Sequence, residues 1–204
     1  MKVLVACEFS GVVRDAFETQ GHDAWSCDLL AAKGKHIKGD IRDVLHEQHP
    51  WDLMICHPPC THLAVSGARW FKDKLKEQAE ALEFVQFLLD ASVPRIALEN
   101  PVSIISSRIR KPDQIIQPWM FGHNASKATC LWLKNLPPLE QSNVVEPDRY
   151  VNGKARYANQ TDTGQNRLTP SDDRWAKRSE TYDGIAAAMA TQWGTLNLDI
   201  SKEE

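Results

Sequence analysis

A cysteine follows a double proline at the end of an apolar stretch of this chain. Residues 51–56 have the composition of a short buried strand, and Pro58 and Pro59 end it because proline lacks a backbone donor and fixes φ. Cys60 is therefore predicted at the carboxyl edge of a sheet, where α/β folds bind ligands. A thiol there is a candidate nucleophile. The alternative is a small buried apolar side chain, which is the commonest place for a free cysteine.

Glu99 occupies the matching position one predicted strand later. Residues 95–98 form the next apolar run, and Asn100 and Pro101 follow the glutamate. If the two strands are neighbours, Cys60 and Glu99 lie at the same edge of the sheet, a nucleophile beside a proton donor. We expect burial to raise the pKa of Glu99, because a partly buried glutamic acid with a raised pKa can donate a proton near neutral pH.

A third group of residues has the positions of a nucleotide-type binding site. Phe9, Ser10 and Gly11 lie between the first predicted strand and its helix, where glycine lets backbone approach a ligand and the helix N-terminus offers free N–H groups. Asp28 ends the second strand, where an acidic residue can accept both ribose hydroxyls, and Asp40 follows the third. A tight turn or a helix cap is the alternative for each residue alone.

These features together resemble the cytosine-5 DNA methyltransferases, over roughly residues 1–194. That family carries a Pro-Cys nucleophile, a Glu-Asn pair on the next strand and an early Phe-x-Gly loop for S-adenosylmethionine. The resemblance implies that Cys60 attacks C6 of cytosine, that Glu99 protonates N3, and that C5 then takes the methyl group. Loss of the C5 proton and elimination of Cys60 would restore the ring.

The resemblance also assigns the cofactor site. Asp40 would accept a hydrogen bond from the adenine amine, and Ile41 would pack on the adenine ring. The implied S-adenosylmethionine-binding residues are Phe9, Ser10, Gly11, Asp28, Asp40, Ile41 and Pro58.

Substrate-binding residues are implied in the same way. Gln165 and Arg167 resemble a Gln-x-Arg motif whose arginine reaches the cytosine O2, and the alternative is a solvated loop arginine. Asn100 would orient Glu99 or the loop beside the substrate. Lys127 lies among aromatic residues that could stack on an extruded base or accompany phosphate contacts.

The sequence departs from the family pattern in three places. Thr169 stands at the family's next arginine position, and residues 181–186 lack the closing Gly-Asn-x-Val-Pro. Only 14 residues separate Arg167 from Tyr182, where sequence-specific members have a large recognition domain. The chain therefore looks like the short methyltransferases of phages and mobile elements.

Other classes of function stay open at this point. An amino-methyltransferase is disfavoured because His57 and Cys60 stand where it needs a polar acceptor and an aromatic ring. A metal site is conceivable because Cys56, His57, Cys60 and His62 lie within seven residues, but no second ligand pair follows. Modification of a free cytosine nucleotide, transfer of a group other than methyl, and a non-catalytic nucleic-acid-binding relic are the remaining alternatives.

Composition gives the setting for this chemistry. We expect the 204 residues to form one catalytic domain, 1–204, in a soluble cytoplasmic protein, because there are five cysteines, no signal peptide and no apolar run near 18 residues. The net charge is −3, but residues 101–178 hold 12 Lys/Arg against 7 Asp/Glu. This basic, loop-rich segment is the predicted contact for duplex or single-stranded DNA. The composition does not decide the oligomeric state.

Hydrophobic periodicity predicts the fold. Apolar runs at 2–7, 22–27, 36–38 and 129–133 indicate further strands, and helical spacing appears over 73–91 and 181–193. Residues 141–180 are predicted to form long loops with one hairpin. Alternating strands and helices with polar clusters after the strands indicate a doubly wound, Rossmann-like methyltransferase fold with a mostly parallel sheet.

Overall fold

A computed structural model of the protein describes residues 1–46, 50–172 and 174–196. It contains two β-sheets. Their strands are β1 Lys2–Ala6, β2 Asp23–Asp28, β3 His36–Lys38, β4 Leu53–Cys56, β5 Arg95–Pro101, β6 Gln114–Ile116, β7 Thr129–Lys134, β8 Arg149–Val151 and β9 Lys154–Arg156.

Helices connect most of these strands. The α-helices are α1 Val12–Thr19, α2 Ile41–His46, α3 Leu75–Leu89, α4 Ile105–Arg108, α5 Arg174–Ser179 and α6 Asp183–Gly194, and the 3₁₀ segments are Val65–Asp73 and Pro118–Met120. None of the helices in the described ranges is long and apolar enough to cross a membrane.

Seven strands form the main sheet in the order β3-β2-β1-β4-β5-β7-β6. The pairs from β3 to β5 are parallel, whereas β7 is antiparallel to both β5 and β6. The predicted mixed α/β fold with a mostly parallel sheet is confirmed, and it is compatible with a Rossmann-like methyltransferase fold. The chain order reverses between β1 and β4, which is where such sheets open a crevice at their carboxyl edge.

Two apolar clusters cover the two faces of this sheet. Alternate residues of β1 divide between them, because successive side chains of a strand point to opposite faces. One cluster joins α1 and α6 to Val3 and Val5, and the other joins α2, α3 and α4 to Leu4 and Ala6. The strands β4 and β5 are buried on both faces, as expected for central strands.

The sequence patterns match most elements within a few residues. The expected helices at 73–91 and 181–193 are α3 and α6, and the expected hairpin within 141–180 is β8 with β9. The patterns missed α2 and β6 and did not reveal that β7 runs antiparallel. Residues 197–204 of the predicted single domain lie outside the described residues.

The start of α6 is fixed by close backbone packing. The Gly184 amide donates to the His123 ring at 2.9 Å, and His123 contacts the Tyr182 ring edge-on. A Cβ placed on Gly184 would lie 1.8 Å from the Phe121 carbonyl oxygen. Glycine at this position therefore lets α6 begin directly against the loop before β7.

We expect Gly184→Ala to lower the free energy of unfolding by about 1–3 kcal/mol, the usual cost of overpacking. Urea denaturation followed by circular dichroism measures this change. Gly67→Ala is the matched control, because a Cβ at Gly67 would meet no atom within 4 Å. Equal stability of the two variants would contradict the packing argument.

Candidate active site

The parallel register of β4 and β5 sets the geometry of the site. Cys56 lies opposite Leu98 in the last pair of the register, so the next residues, His57 and Glu99, emerge side by side. Cys60 follows three residues later in an exposed turn, in which its carbonyl accepts the amides of Leu63 and Ala64. As predicted, the cysteine loop and Glu99 lie at the carboxyl ends of neighbouring strands.

His57 and Glu99 form a buried pair. The distance between His57 Nδ1 and Glu99 Oε2 is 2.9 Å, and the side chains are only 10% and 12% exposed. The backbone amide of His57 donates to the Ala6 carbonyl at 2.9 Å, which fixes the start of the loop against β1. His57 thus lies in the loop directly after β4 and has Glu99 as its partner.

The expectation that burial leaves the pKa of Glu99 raised is wrong. Burial alone would raise the pKa of this carboxyl group, but the His57 hydrogen bond and the charges of His57 and Lys127 outweigh burial. The pKa of Glu99 is lowered below its ordinary value. At neutral pH the carboxylate is consequently ionised, which favours a hydrogen-bond acceptor over an acid in the resting protein.

The pKa of Cys60 is raised, whereas a nucleophilic thiol reacts more readily when its pKa is lowered. Loss of water around the thiol and the nearby Glu99 carboxylate raise the pKa of Cys60. Its own backbone hydrogen bond and the charges of Lys127 and Arg178 act in the other direction without overcoming this effect. Because the thiolate is the reactive form, Cys60 requires an additional stabilising charge or a proton acceptor when it reacts.

Asn100 holds the cysteine loop in place. Its side chain is 1% exposed, and Nδ2 donates to the Pro58 carbonyl at 2.9 Å. Pro58 is itself buried beneath the loop. This geometry favours the loop-orienting role foreseen for Asn100, and its contact with substrate stays a prediction.

A cavity of about 10 Å³ adjoins Glu99. It is lined by Glu99, Lys127, Thr129, Thr181, Tyr182 and Ile185. Lys127 Nζ lies 5.9 Å from the centre of the Tyr182 ring. The volume equals about one water molecule, so this cavity is too small for a pyrimidine ring.

The wall belongs to a stretch that we call the cover segment, residues 174–183. Lys127 Nζ donates to the carbonyls of Arg178 and Glu180, at 2.9 and 3.2 Å. At its other end, the Trp175 ring packs against the Phe9 ring with centroids 5.6 Å apart. The cover segment therefore connects the Glu99 cavity to the loop after β1.

A larger cleft of about 320 Å³ lies on the other side of Tyr182. Its walls are Val12, His123, Lys177, Glu180, Thr181, Tyr182 and Asp183. Val12 begins α1, so the cleft opens directly beside the loop that the sequence assigned to the cofactor.

The loop after β1 differs from expectation at the start of α1. Glu8 is 5% exposed, and its carboxylate accepts the Val13 amide at 2.7 Å and the Arg14 amide at 3.3 Å. Ser10 Oγ accepts the Val12 amide and donates to Glu8. The expected free N–H groups at this helix terminus are therefore occupied, and sequence analysis overlooked Glu8 as their partner.

Gly11 lets a buried arginine approach this loop. It has φ 79°, and a Cβ at this position would lie 2.3 Å from the Arg14 guanidinium. Arg14 is 3% exposed and joins α1 to Ser26 of β2 and to the Lys33 carbonyl. The glycine thus serves internal packing at least as much as a close approach to a ligand.

The two predicted cofactor carboxylates lie near one thiol. Cys7, at the end of β1, has φ 60°, an unusual value for a residue other than glycine. Burial raises the pKa of Cys7 to about 12, and the charges of Asp28 and Asp40 add to this effect. Backbone strain of this kind concentrates at functional sites, although nothing in the sequence pattern singled out Cys7.

The carboxylates of Asp28 and Asp40 fit the hydrogen-bonding groups of the nucleoside part of S-adenosylmethionine. Asp28 Oδ1 accepts the Leu30 amide at 2.8 Å, which leaves Oδ2 for a ribose hydroxyl. Asp40 pairs with Arg42 at 3.1 Å, and such exposed ion pairs are worth only about 0–1 kcal/mol, so an adenine amine could replace the arginine. Ile41 is 4% exposed and offers little surface to a ring.

Gln165 and Arg167 lie on an exposed loop after the β8–β9 hairpin. The Arg167 amide donates to the Asn159 carbonyl, and the Asn159 side chain exchanges hydrogen bonds with the backbone of Ser126, beside Lys127. The loop is thus anchored next to the Glu99 cavity. Within the described residues the Arg167 side chain makes no hydrogen bond or ion pair, so its predicted role in binding cytosine stays a prediction.

The metal alternative finds no cluster in the described part of the chain. No group of three His, Cys, Asp or Glu residues there is arranged to hold an ion. Cys56 is fully buried in β4, whereas Cys60 is exposed and His57 is bonded to Glu99.

Comparison with known proteins gives similarity to solved structures only. No protein-family model and no curated protein matches the chain. Solved structures similar to it include an E. coli prophage protein provisionally described as a DNA modification methyltransferase. The sequence identity is 11% and the TM-score is 0.42, over 65% of this chain and 46% of that one. The chain thus spans about half the length of the protein it matches.

The exposure and the raised pKa of Cys60 make a direct prediction. Iodoacetamide should alkylate Cys60 before Cys7, Cys27, Cys56 and Cys130, because Cys60 is the exposed cysteine. Its rate at pH 7 should be below that of a free cysteine and should increase with pH, since the thiolate reacts. Peptide mass spectrometry over a time course measures both.

Lys127→Ala tests the electrostatic part of this prediction. Removing the lysine charge should slow alkylation of Cys60 further, because that charge lowers the pKa of the thiol. Lys76→Ala is the control, since Lys76 is 87% exposed on α3. Alkylation of Cys130 before Cys60 would contradict the exposure of the cysteine loop.

Proposed function

We propose that the protein transfers a methyl group from S-adenosylmethionine to C5 of cytosine in DNA. The observation that carries the proposal is the adjacency of the Cys60 loop and Glu99 at the carboxyl ends of two paired parallel strands. Asp28 ends β2 at the same edge of the sheet. A nucleophile, a proton-carrying group and a ribose-binding carboxylate are therefore available to one crevice.

The reaction requires a covalent bond between enzyme and base. Cys60 releases its thiol proton to water, which returns it at the end of the reaction, and its Sγ bonds to C6 as the C5–C6 double bond opens. The electron pair moves through the ring to N3, which takes a proton that Glu99, itself ionised at rest, has first taken up. S-adenosylmethionine supplies the methyl group that C5 then takes up, while N3 returns its proton. A base removes the C5 proton as the bond between Cys60 and C6 breaks, which restores the aromatic ring.

We propose a polynucleotide as the substrate, bound by basic residues of 101–178. Not every cation there is available, because Arg110 pairs with Asp113 at 2.6 Å and Arg149 with Asp162 at 2.8 Å. The cover segment contributes exposed Arg178, and its Trp175 is 59% exposed, a combination suited to phosphate and base contacts. With so short a recognition region, direct readout would cover only a few base pairs.

A second candidate is a non-catalytic nucleic-acid-binding protein that retains this fold. The observation in its favour is that both pKa shifts disfavour the methylation reaction. The Cys60 thiol is held protonated, although the nucleophile is the thiolate, and Glu99 is ionised, although it has to deliver a proton. Such a protein would bind DNA without modifying it. Covalent trapping separates the two candidates.

DNA containing 5-fluorocytosine should form a denaturant-stable complex with the protein in the presence of S-adenosylmethionine. The fluorine at C5 blocks the final proton removal, so Cys60 stays bonded to C6. Denaturing gel electrophoresis and mass spectrometry of the linked peptide detect the adduct. With ordinary DNA, mass spectrometry of the nucleosides should show 5-methyldeoxycytidine.

Two serine variants identify the nucleophile. Cys60→Ser should abolish trapping, whereas Cys130→Ser should retain it, although burial and the Glu99 charge both act on the Cys130 thiol. Trapping that survives Cys60→Ser and disappears with Cys130→Ser would transfer the role to Cys130. No trapping at all, with DNA binding intact, would favour the non-catalytic candidate.

Binding to DNA should weaken steeply as salt increases. Each duplex phosphate that the protein neutralises contributes a slope of about 0.9 log units in affinity per log unit of salt. Arg178→Ala should reduce the slope by about one phosphate, and Lys76→Ala should leave it unchanged. Fluorescence anisotropy with a labelled duplex and single strand measures these slopes.

The competing substrate is the free nucleotide. Affinity for DNA that does not depend on salt, or turnover of dCMP as fast as that of DNA, would overturn the polynucleotide proposal and leave a nucleotide-modifying enzyme.

A further inference from the structure

His57 is the residue in direct contact with the ionised Glu99. Its Nδ1 is bonded to the carboxylate at 2.9 Å, and its Nε2 is buried without a hydrogen-bond partner in the described structure. The backbone on both sides of the ring is held, by the bond from the His57 amide to Ala6 and by the bond from Asn100 to Pro58. Glu99 is thus the hydrogen-bond partner of this ring in the described structure.

The proposed reaction needs a proton at N3 of cytosine, but the adjacent Glu99 is ionised and carries none. Charge that accumulates on N3 after thiol addition must be neutralised, and Glu99 is the group placed to do this. Since the carboxylate is ionised in the resting protein, it can deliver a proton only if another group supplies it. A second ionisable group at hydrogen-bond distance is the arrangement that solves this problem.

We propose that His57 supplies the proton that Glu99 delivers to N3, so that the two residues act as one proton-transfer pair. This inference rests on the proposed cytosine methylation. Within it, Glu99 touches the base and His57 is a positioning residue that acts through Glu99.

The proton balance is closed. Glu99, ionised at the start, first takes a proton from His57 Nδ1, and the Cys60 thiol releases its own proton to water, which returns it when Cys60 leaves C6. N3 then takes the proton from Glu99 Oε as the bond between Cys60 Sγ and C6 forms. When C5 takes the methyl group, N3 returns its proton to Glu99 and the pair regains its starting state. The proton released overall is the one that leaves C5.

Several other groups face this pair and enter its pH dependence. Lys127, from the loop before β7, favours the ionised carboxylate. The Cys60 and Cys130 thiols lie near enough to Glu99 for its charge to raise their pKa values. Because the pKa of Cys60 is raised and that of Glu99 is lowered, ionisation of Cys60 belongs to the high-pH part of the rate profile, and loss of the proton that Glu99 delivers belongs to the low-pH part.

The test is the pH profile of single-turnover methylation with His57→Asn. Asparagine can place an N–H donor near the position of Nδ1, so it keeps the hydrogen bond to Glu99 but cannot supply a proton. We expect the rate to fall by about 10²-fold, the scale of general acid catalysis, with the affinity for DNA unchanged. The low-pH limb should also move to lower pH, because Glu99 alone then carries the proton.

His62→Asn is the matched control on the same loop, and it should keep the wild-type rate and profile. A His57→Asn enzyme with the wild-type rate, or one that is slower with an unshifted low-pH limb, would overturn the proton role. Both of these outcomes can be measured only if the wild-type protein methylates DNA. An inactive wild type would remove the proposed function itself and this inference with it.

A second variant covers the case in which His57→Asn does not fold. His57→Gln also lacks an ionisable side chain, and we expect the same loss of rate and the same shift of the low-pH limb. A His57→Gln enzyme with the wild-type rate would overturn the inference.

Discussion

The parallel pairing of β4 with β5 is the constraint on which the site depends. Cys56 and Leu98 end this pairing and point into the same apolar cluster. Because side chains alternate along a strand, the next pair, His57 and Glu99, turns toward the opposite face, where Ile185 of α6 lines the Glu99 cavity. A slip of one residue would move the pair into the apolar cluster beneath the sheet.

That constraint explains how two ionisable groups are tolerated in so buried a place. Burying a carboxylate without a partner is costly, and a hydrogen bond to a charged group recovers about 1.5–3 kcal/mol. Glu99 therefore depends on His57 for its stability as well as for its protonation state. His57 Nε2 and Asn100 Oδ1 are also buried at this site, and within the described residues they have no hydrogen-bond partner that would offset the cost of burial.

Sequence patterns predicted the strands that carry the candidate site better than the protonation of its residues. Apolar runs ending at Cys56 and Leu98 predicted two central strands, and the edge of the sheet followed from them. Periodicity does not encode strand direction or register, so the antiparallel β7 and the pairing of His57 with Glu99 could not be read from it. The three-residue strand β6 is too short to give a periodic signal.

The pKa of Glu99 shows why the remainder required three-dimensional contacts. Burial was foreseen from the strand, and by itself it would raise the pKa, but the partner that reverses the sign lies 42 residues earlier in the chain. The same holds for Glu8, whose role as the cap of α1 depends on a turn at Gly11 with positive φ. Local sequence gives each residue's type, whereas its protonation follows from a distant neighbour.

The cover segment links the two halves of the crevice. It contacts the loop after β1 through Trp175 and Phe9, and it closes the Glu99 cavity through Tyr182. Lys127 is bonded to the backbone of the same segment. Its charge acts to lower the pKa of both Cys60 and Glu99, although burial keeps the pKa of Cys60 raised. One lysine therefore contacts the cover segment and contributes to the electrostatics of both candidate catalytic groups.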